Sequence, residues 1–383
     1  VNVTTLKPRM RELAQHITWI PSHIKEGRFG KWLEGAQDWS ISRQRFWGSV
    51  IPIWKCDNCQ GQVVLGSITE LEKKSGSHVT DLHKHIVDGI TFPCSACTGQ
   101  LRRVSDVLDC WFESAVMPWA TQYKVPADFV AEGVDQTRCW FYYMLVMAVA
   151  LEDTIPFKHV IANGIVLAED GQKMSKHLKN YPDPTDVIQK FGADALRYYL
   201  LTSPVMKAES LQFSEHGVTE VYKKVVMILT NVVSFYKMYG TPSPQTLSLE
   251  GRGQGENPLD AWILSRLHNL TNMVTVSMEA YDLVEATRPI AGFVTDLSTW
   301  YIRRSRDRFK AGNPDAITTT HQVLLTLSKL IAPFMPFMAE EIYQNINSKF
   351  LESVHLTKWP EADEKLIDHT LEEQMVLVRK ICE

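Results

Sequence analysis

Two groups of side chains in this sequence have types and spacings that suit chemistry. The first is Asp170-Gly171-Gln172-Lys173-Met174-Ser175-Lys176-His177, which sets two lysines three residues apart just after a glycine-containing turn. A lysine ammonium is a compact cation suited to phosphate oxygens. Two of them on a loop beside a strand can offset the charge that leaves with a pyrophosphate, which is catalysis by fixed positive groups and needs no covalent bond to the protein. Lys-x-x-Lys is also a common solvated basic turn, so the octet alone leaves both readings open. The second group is Cys56-Asp57-Asn58-Cys59-Gln60-Gly61, answered by Cys94-Ser95-Ala96-Cys97-Thr98-Gly99. Each Cys-x-x-Cys is followed by one residue and a glycine, as in a zinc knuckle, where the glycine permits a turn tight enough for backbone amides to approach sulfur. Four thiolates from Cys56, Cys59, Cys94 and Cys97 close a tetrahedral site with no open position, so zinc here is expected to be structural. His78, His83 and His85 lie between the pairs and read as loop histidines.

Two other stretches carry two readings each. Residues 38–52 hold Trp39, Arg43, Arg45 and Trp47; these form either a stacking surface for a nucleic-acid end or core tryptophans with arginines paired to carboxylates. Arg303, Arg304, Arg306, Arg308 and Lys310 face one acid, Asp307, in a single octet. They either meet RNA phosphates or make a solvated helix end with cations near its carboxyl terminus.

The elements around these groups must position them. Residues 127–133 read as a strand, the largely apolar 137–151 as a buried helix, and 156–162 as the next strand. Strand, helix, strand is a βαβ unit, and ligands in such folds bind beyond the carboxyl ends of the strands. Glu132, Asp135 and Gln136 fall there, the Asn163-Gly164 turn falls there too, and the lysine octet follows. Upstream, residues 1–38 read as charged helical segments, and a short helix is expected at 69–75. Downstream, Asp183-Pro184 caps a helix and another starts at Gly192. Residues 215–239 form an amphipathic helix with Val218, Tyr222, Val225, Leu229, Val232 and Tyr236 on one face. A Pro-, Ser- and Gly-rich connecting loop is expected at 241–257, then helices at 258–281, 283–310, 315–331 and 336–346. The predicted fold is α/β: a doubly wound, Rossmann-like parallel sheet with a zinc-knuckle insertion, followed by an all-α helical bundle.

Composition bounds the function. At 383 residues the chain has room for two or three domains. Hydrophobic residues at 45% and charged residues at 22% are ordinary for a globular protein. A formal net charge of -4 excludes a chain that is basic throughout, so any nucleic-acid contact must come from local patches. No apolar run is long enough to span a bilayer. Seven cysteines, an odd count with paired spacing, point to metal in a reducing, cytoplasmic setting and away from disulfides. The chain opens on Val1 without Met, which suggests a piece of something longer.

Together these stretches resemble the class I aminoacyl-tRNA synthetases, and among them the isoleucine branch. The resemblance covers essentially the whole chain. Lys173-Met174-Ser175-Lys176 is similar to the class's Lys-Met-Ser-Lys-Ser signature, with His177 in place of the final serine. Residues 38–52 resemble the stretch by which the isoleucine, valine and leucine enzymes re-enter the catalytic domain after their editing insertion. Ala131-Glu132-Gly133-Val134-Asp135-Gln136-Thr137-Arg138-Cys139-Trp140 points most sharply to isoleucine, although the family usually has glycine where Cys139 stands. Asp109-Cys110-Trp111-Phe112-Glu113-Ser114 also suits isoleucine better than valine. Asn163-Gly164 and Asn180-Tyr181-Pro182-Asp183-Pro184 resemble the eukaryotic-like branch.

The resemblance implies roles. Trp111 and Trp140 would form flat apolar walls for the isoleucine side chain, and Gln136 would orient its amino and carboxyl groups. Glu132, Gly133 and Asp135 would lie toward the ATP ribose, with Asn163, Gly164, Met174 and Ser175 completing the nucleotide site. Lys173 and Lys176 would stabilise the transition state as the carboxylate attacks the α-phosphate. Arg303, Arg304, Arg306 and Arg308 are candidate tRNA contacts. The implied cofactors are structural zinc, and magnesium with ATP; the implied partners are ATP, isoleucine, tRNA(Ile) and an amino-terminal synthetase half, with no membrane. Residues 1–55 would return from the editing insertion, 56–105 form the zinc insertion, 106–214 the second catalytic half, and 215–383 the anticodon-binding domain. No His-Ile-Gly-His signature and no editing insertion occur here. The chain is therefore expected to be a carboxyl-terminal portion unable to form isoleucyl-adenylate alone. Alternatives are a non-catalytic tRNA-binding fragment or split subunit, a valine- or leucine-type enzyme, and an unrelated zinc-ribbon module.

Overall fold

In the computed structural model, which describes residues 1–239, 257–346 and 352–382, the chain forms two units, Val1–Ala162 and Asn163–Glu383. The first is mixed α/β. Its sheet has the order Thr18–Ile20, Phe157–Asn163, Ala127–Gly133, and Trp19 pairs in parallel with Val160. Helix Trp140–Glu152 is apolar on every side and buries Phe141, Leu145, Val146 and Ala148 completely, as a helix packed on both faces must. Trp19, Phe29, Phe141 and Phe157 join strand to helix through ring contacts of 4.7 to 5.8 Å. The strand and helix expected over 127–151 are present. The helix proper starts at Trp140, after a tight 3-10 turn at Val134–Arg138. The strand Thr18–Ile20 corrects the expectation of helix throughout 1–38: its three residues are too few to show a periodicity of two.

A four-stranded antiparallel sheet, ordered Gln62–Val64, Ile53–Cys56, Gln100–Arg103, Phe92–Pro93, carries the cysteine pairs. It has a small core of its own around Trp54, Leu71, Val87, Phe92 and Leu101. Trp54 donates its indole N–H to the Ile90 carbonyl at 2.9 Å. The short helix falls at Ile68–Ser75, started by the Ser67 hydroxyl on the Glu70 N–H and ended by Gly76 in the left-handed region.

In the second unit, Val166–Leu167 pairs in parallel with Leu211–Gln212, and helices Pro184–Phe191 and Ala193–Leu201 follow the lysine octet. The bundle then runs through 215–239, Pro258–Glu279, 283–310, Pro314–Ile331 and Pro336–Ile346. One apolar cluster unites these helices; Leu229, Leu267, Phe293, Leu324 and Ile342 are fully buried in it. Two of them contain π-helical turns, at Tyr222–Val226 and Asp296–Ile302. The loop expected at 241–257 falls outside the described residues except for Asn257, whose side chain caps the helix that follows through the Leu259 N–H. A last helix, His369–Cys382, has no fully buried side chain, although its Leu371 and Met375 pack against the bundle core. Among the described residues, no helix is long and apolar enough to cross a membrane.

Candidate active site and metal centre

In the first unit the turn after strand Ala127–Gly133 gathers most of the predicted amino acid and ribose residues. Glu132 and Asp135 are exposed there. The exposed Asp135 carboxylate folds back over Gly133, into the space a Cβ would take there. Gln136 donates to Asp135 Oδ2 at 3.0 Å and accepts the Trp140 backbone N–H at 3.1 Å. One amide thus closes the turn and caps the buried helix, leaving the Asp135 carboxylate facing solvent. The Trp140 indole N–H reaches the Ser114 carbonyl at 3.2 Å. Trp140 also lines an apolar cavity of about 720 Å³, together with Met117, Val125, Phe129, Val130 and Met144.

Trp111 comes to the same unit on the short helix Cys110–Ala115. Its ring stacks on Tyr143 at 5.7 Å and 16°, and Tyr143 in turn meets Trp39 at 4.4 Å. Burial raises the Tyr143 hydroxyl pKa, with the nearby Asp109 charge adding to the shift. The sequence pointed to Trp111 but not to what holds it. Buried Asp109 accepts from the Trp111 N–H, the Trp39 indole at 2.9 Å and the Arg43 guanidinium at 2.5 Å. The two readings of residues 38–52 therefore divide. Trp39 and Arg43 are core and ion pair, whereas Phe46 and Trp47 are 57% and 66% exposed beside His83 and His85.

In the second unit, Lys173 and Lys176 are exposed while Met174 packs on the cluster of Val187, Ala195, Phe213 and Val218. Gly171, at φ +80°, makes the turn that lets Leu167 bridge Lys173. Asn180 accepts the Ser175 N–H at 2.9 Å and donates to the Lys173 carbonyl at 3.1 Å, a role that sequence reasoning did not assign. Gly164 donates its N–H to the Val205 carbonyl at 2.6 Å. Next to it, the Asn163 Oδ1 is buried with no hydrogen-bond partner among the described residues.

The four cysteines converge. Their sulfurs all lie within 4.8 Å of one another, with Cys56 and Cys97 at 3.5 Å and Cys59 and Cys94 at 3.7 Å. Zinc–sulfur bonds of ~2.3 Å in a tetrahedron set sulfurs about 3.8 Å apart, so this donor set fits zinc. Backbone N–H groups of Asn58, Ala96 and Gly99 point at Sγ of Cys56, Cys94 and Cys97 at 3.3 to 3.4 Å. The amides of Cys59 and Asn58 bring the Cys56 thiol down to about 7, whereas Cys97, Cys56 and Cys94 push the Cys59 thiol up to about 12, so the crowded sulfurs favour one thiolate first. His78 and His83 instead pair with Glu72 and Asp81. The predicted tRNA arginines differ in surroundings. Arg308 grips fully buried Asp260 with both terminal nitrogens, at 2.8 and 2.5 Å. Arg304 lies over the Trp300 ring at 5.0 Å, and Arg303 and Arg306 are exposed.

The family described as tRNA synthetases class I (I, L, M and V) matches residues 1–212. The chain belongs to that family. A second family, the anticodon-binding domain of tRNA ligases, matches residues 260–383 of this class I synthetase chain. Proteins called isoleucine–tRNA ligase are its curated relatives. The one from Treponema denticola is 45% identical over 99% of this chain, and that from Chlamydia trachomatis serovar A is 46% identical over 100%. The chain spans 37% and 38% of their respective lengths. Two solved structures share the class I fold. A LeuRS–tRNA–LeuAMS ternary complex from Agrobacterium radiobacter K84 gives a TM-score of 0.65 at 23% identity, covering 87% of this chain and 44% of that one. Mycobacterium tuberculosis methionyl-tRNA synthetase in complex with methionyl-adenylate gives 0.61 at 18% identity, covering 89% and 61%.

Proposed function

We infer that this chain is the portion of an isoleucine–tRNA ligase that supplies the lysine loop, the amino acid pocket walls and the anticodon-binding bundle. The observation that carries this reading is identity of 45% and 46% to isoleucine–tRNA ligases along essentially the whole chain. In the reaction proposed, the isoleucine carboxylate oxygen attacks the α-phosphorus of ATP. A new phosphorus–oxygen bond forms, the bond to the bridging oxygen breaks, and pyrophosphate departs with the electron pair. Lys173 and Lys176, exposed on a loop anchored by Met174, would neutralise charge on the departing phosphates. Trp111 and Trp140 would enclose the side chain, with Gln136 as the polar group between them and Glu132, Gly133 and Asp135 toward the ribose. Asn163, Gly164, Met174 and Ser175 would complete the nucleotide contacts, the buried Asn163 Oδ1 being an acceptor with no donor among the described residues. Magnesium would accompany the ATP phosphates. Zinc would be held by Cys56, Cys59, Cys94 and Cys97 in a purely structural role.

The proposed division keeps 1–55 as the return into the catalytic domain, 56–105 as the zinc insertion, 106–214 as the second catalytic half and 215–383 as the anticodon-binding domain. Exposed Arg303, Arg304 and Arg306 are the better placed of the four arginines for tRNA(Ile). A cytoplasmic setting suits thiols kept reduced for metal. Strand Ala127–Gly133 stands at the sheet edge above an apolar cavity, and an amino-terminal half would dock there and contribute the rest of the ATP site. Isoleucine-dependent ATP–pyrophosphate exchange tests this reading. The 383-residue chain is expected to be inactive alone and active in the complete ligase. Exchange that prefers valine or leucine, or exchange by the chain alone, would refute it.

A further inference from the structure

A single side chain ties the two halves of the lysine loop together. The loop leaves the short parallel pair at Leu167 and turns at Gly171, where the Gly171 N–H reaches the Ala168 carbonyl at 2.8 Å and the Gln172 N–H reaches Asp170 Oδ1 at 2.9 Å. It then passes Lys173, dips inward at Met174 and continues to Lys176. Beyond Lys176 the Lys179 N–H returns to the Ser175 carbonyl at 2.9 Å, and Lys179 takes φ +47°, a conformation that costs a side-chain-bearing residue energy. That turn brings Asn180 back against the signature, where its amide spans Ser175 N–H and Lys173 C=O on either side of Met174.

We propose that Asn180 is a positioning residue for adenylation, holding the backbone at Lys173 and Ser175 so that both ammonium groups face the departing pyrophosphate. The proposal rests on the reading of Lys173 and Lys176 as adenylation groups. Asparagine is chemically suited to this place because one amide offers an acceptor and a donor together. Aspartate keeps the acceptor for Ser175 but turns a second acceptor toward the Lys173 carbonyl. Alanine keeps neither. Misplacing a charge-stabilising group by about 1 Å costs up to ~100-fold in rate, while substrate binding by other elements is unaffected.

The test is isoleucine-dependent ATP–pyrophosphate exchange in the complete ligase that contains this chain, with Asn180→Ala, Asn180→Asp, Lys173→Ala and Lys176→Ala compared. Asn180→Ala is expected to lower kcat roughly 10- to 100-fold with the isoleucine KM unchanged, and Asn180→Asp to fall between it and the parent. In the 383-residue chain itself, Asn180→Ala should speed tryptic cleavage at Lys173 and Lys176 while cleavage in the bundle stays constant. If Asn180→Ala does not fold, Asn180→Asp carries the same comparison. Parent-level kcat in both Asn180 variants, or a fall in kcat matched by a rise in isoleucine KM, would overturn the positioning role. If the lysine variants keep exchange activity, the adenylation reading itself fails; if they lose it while Asn180→Ala does not, only the positioning role fails.

Discussion

Gly164 and Glu209 approach so closely that a Cβ on Gly164 would overlap the Glu209 carbonyl oxygen. The glycine is therefore needed to pack strand end against loop, whatever it also does for a nucleotide. Gly164→Ala should destabilise the protein by about 3 kcal/mol or more, in the range of severe steric replacements. Thermal unfolding measures this. A variant that melts with the parent but loses ATP binding would reassign the glycine to the ligand alone.

Metal removal should be local at first. Zinc binding in small thiolate modules supplies ~10–16 kcal/mol of apparent free energy, and the insertion's own core is small. Chelation is expected to release about one zinc per chain and open 53–103 to protease, while the buried helix Trp140–Glu152 stays protected. Cys94→Ser should lose tight zinc. Full zinc content in a Cys94→Ser, Cys97→Ser double variant would sink the assignment.

The arginines of the bundle should separate by function. Arg308→Ala leaves Asp260, with no exposed surface, unpaired beside the Tyr301 hydroxyl that bonds it at 2.7 Å. Breaking a buried pair from one side costs about 3–5 kcal/mol, visible in denaturant unfolding. Arg303→Ala and Arg306→Ala should leave stability within ~0.5 kcal/mol. Both should weaken tRNA binding evenly and reduce the salt slope by about 1 for each phosphate no longer neutralised. Equal melting of all three variants would remove the distinction.

The two tryptophans of residues 38–52 make a similar contrast. Trp39 is 7% exposed and bonded to Asp109, so Trp39→Ala should cost about 3–5 kcal/mol. Trp47 is largely solvent-facing, and Trp47→Ala should shift stability by less than ~1 kcal/mol. Urea unfolding of the pair decides it.

That contrast shows where the sequence was legible. Strand Ala127–Gly133 and the apolar helix after it announce themselves by length and composition, and Cys-x-x-Cys-x-Gly announces its own geometry. Partnership does not. Nothing near Trp39 or Arg43 in sequence marks Asp109 as the acceptor both share, and nothing near Arg308 marks Asp260. Strand Thr18–Ile20 exists because Phe157–Asn163 gives it a neighbour. The π-helical turn at Asp296–Ile302 adds a residue to one turn of the 283–310 helix, so a strict 3.6 period drifts out of phase before reaching the arginines. Through that turn Asp296 meets Arg266 and Arg379 at 3.2 and 2.6 Å. Asn180 was legible only as part of a family-like stretch, because its role depends on a backbone turn at Lys179 that no side-chain pattern records.

The entry and exit of the cysteine-bearing insertion lie side by side. Trp54 pairs with Arg103, Lys55 with Arg102, and Val50 bridges Val107. A segment that leaves and rejoins its host at one point can lengthen at slowly rising entropic cost, because the host sees only the fixed neck. Exposed turns of the stretch between the two knuckles, away from its core residues Leu71, Val87 and Phe92, can thus lengthen or accept a grafted loop or reporter without a change in how Trp111 and Tyr143 stack.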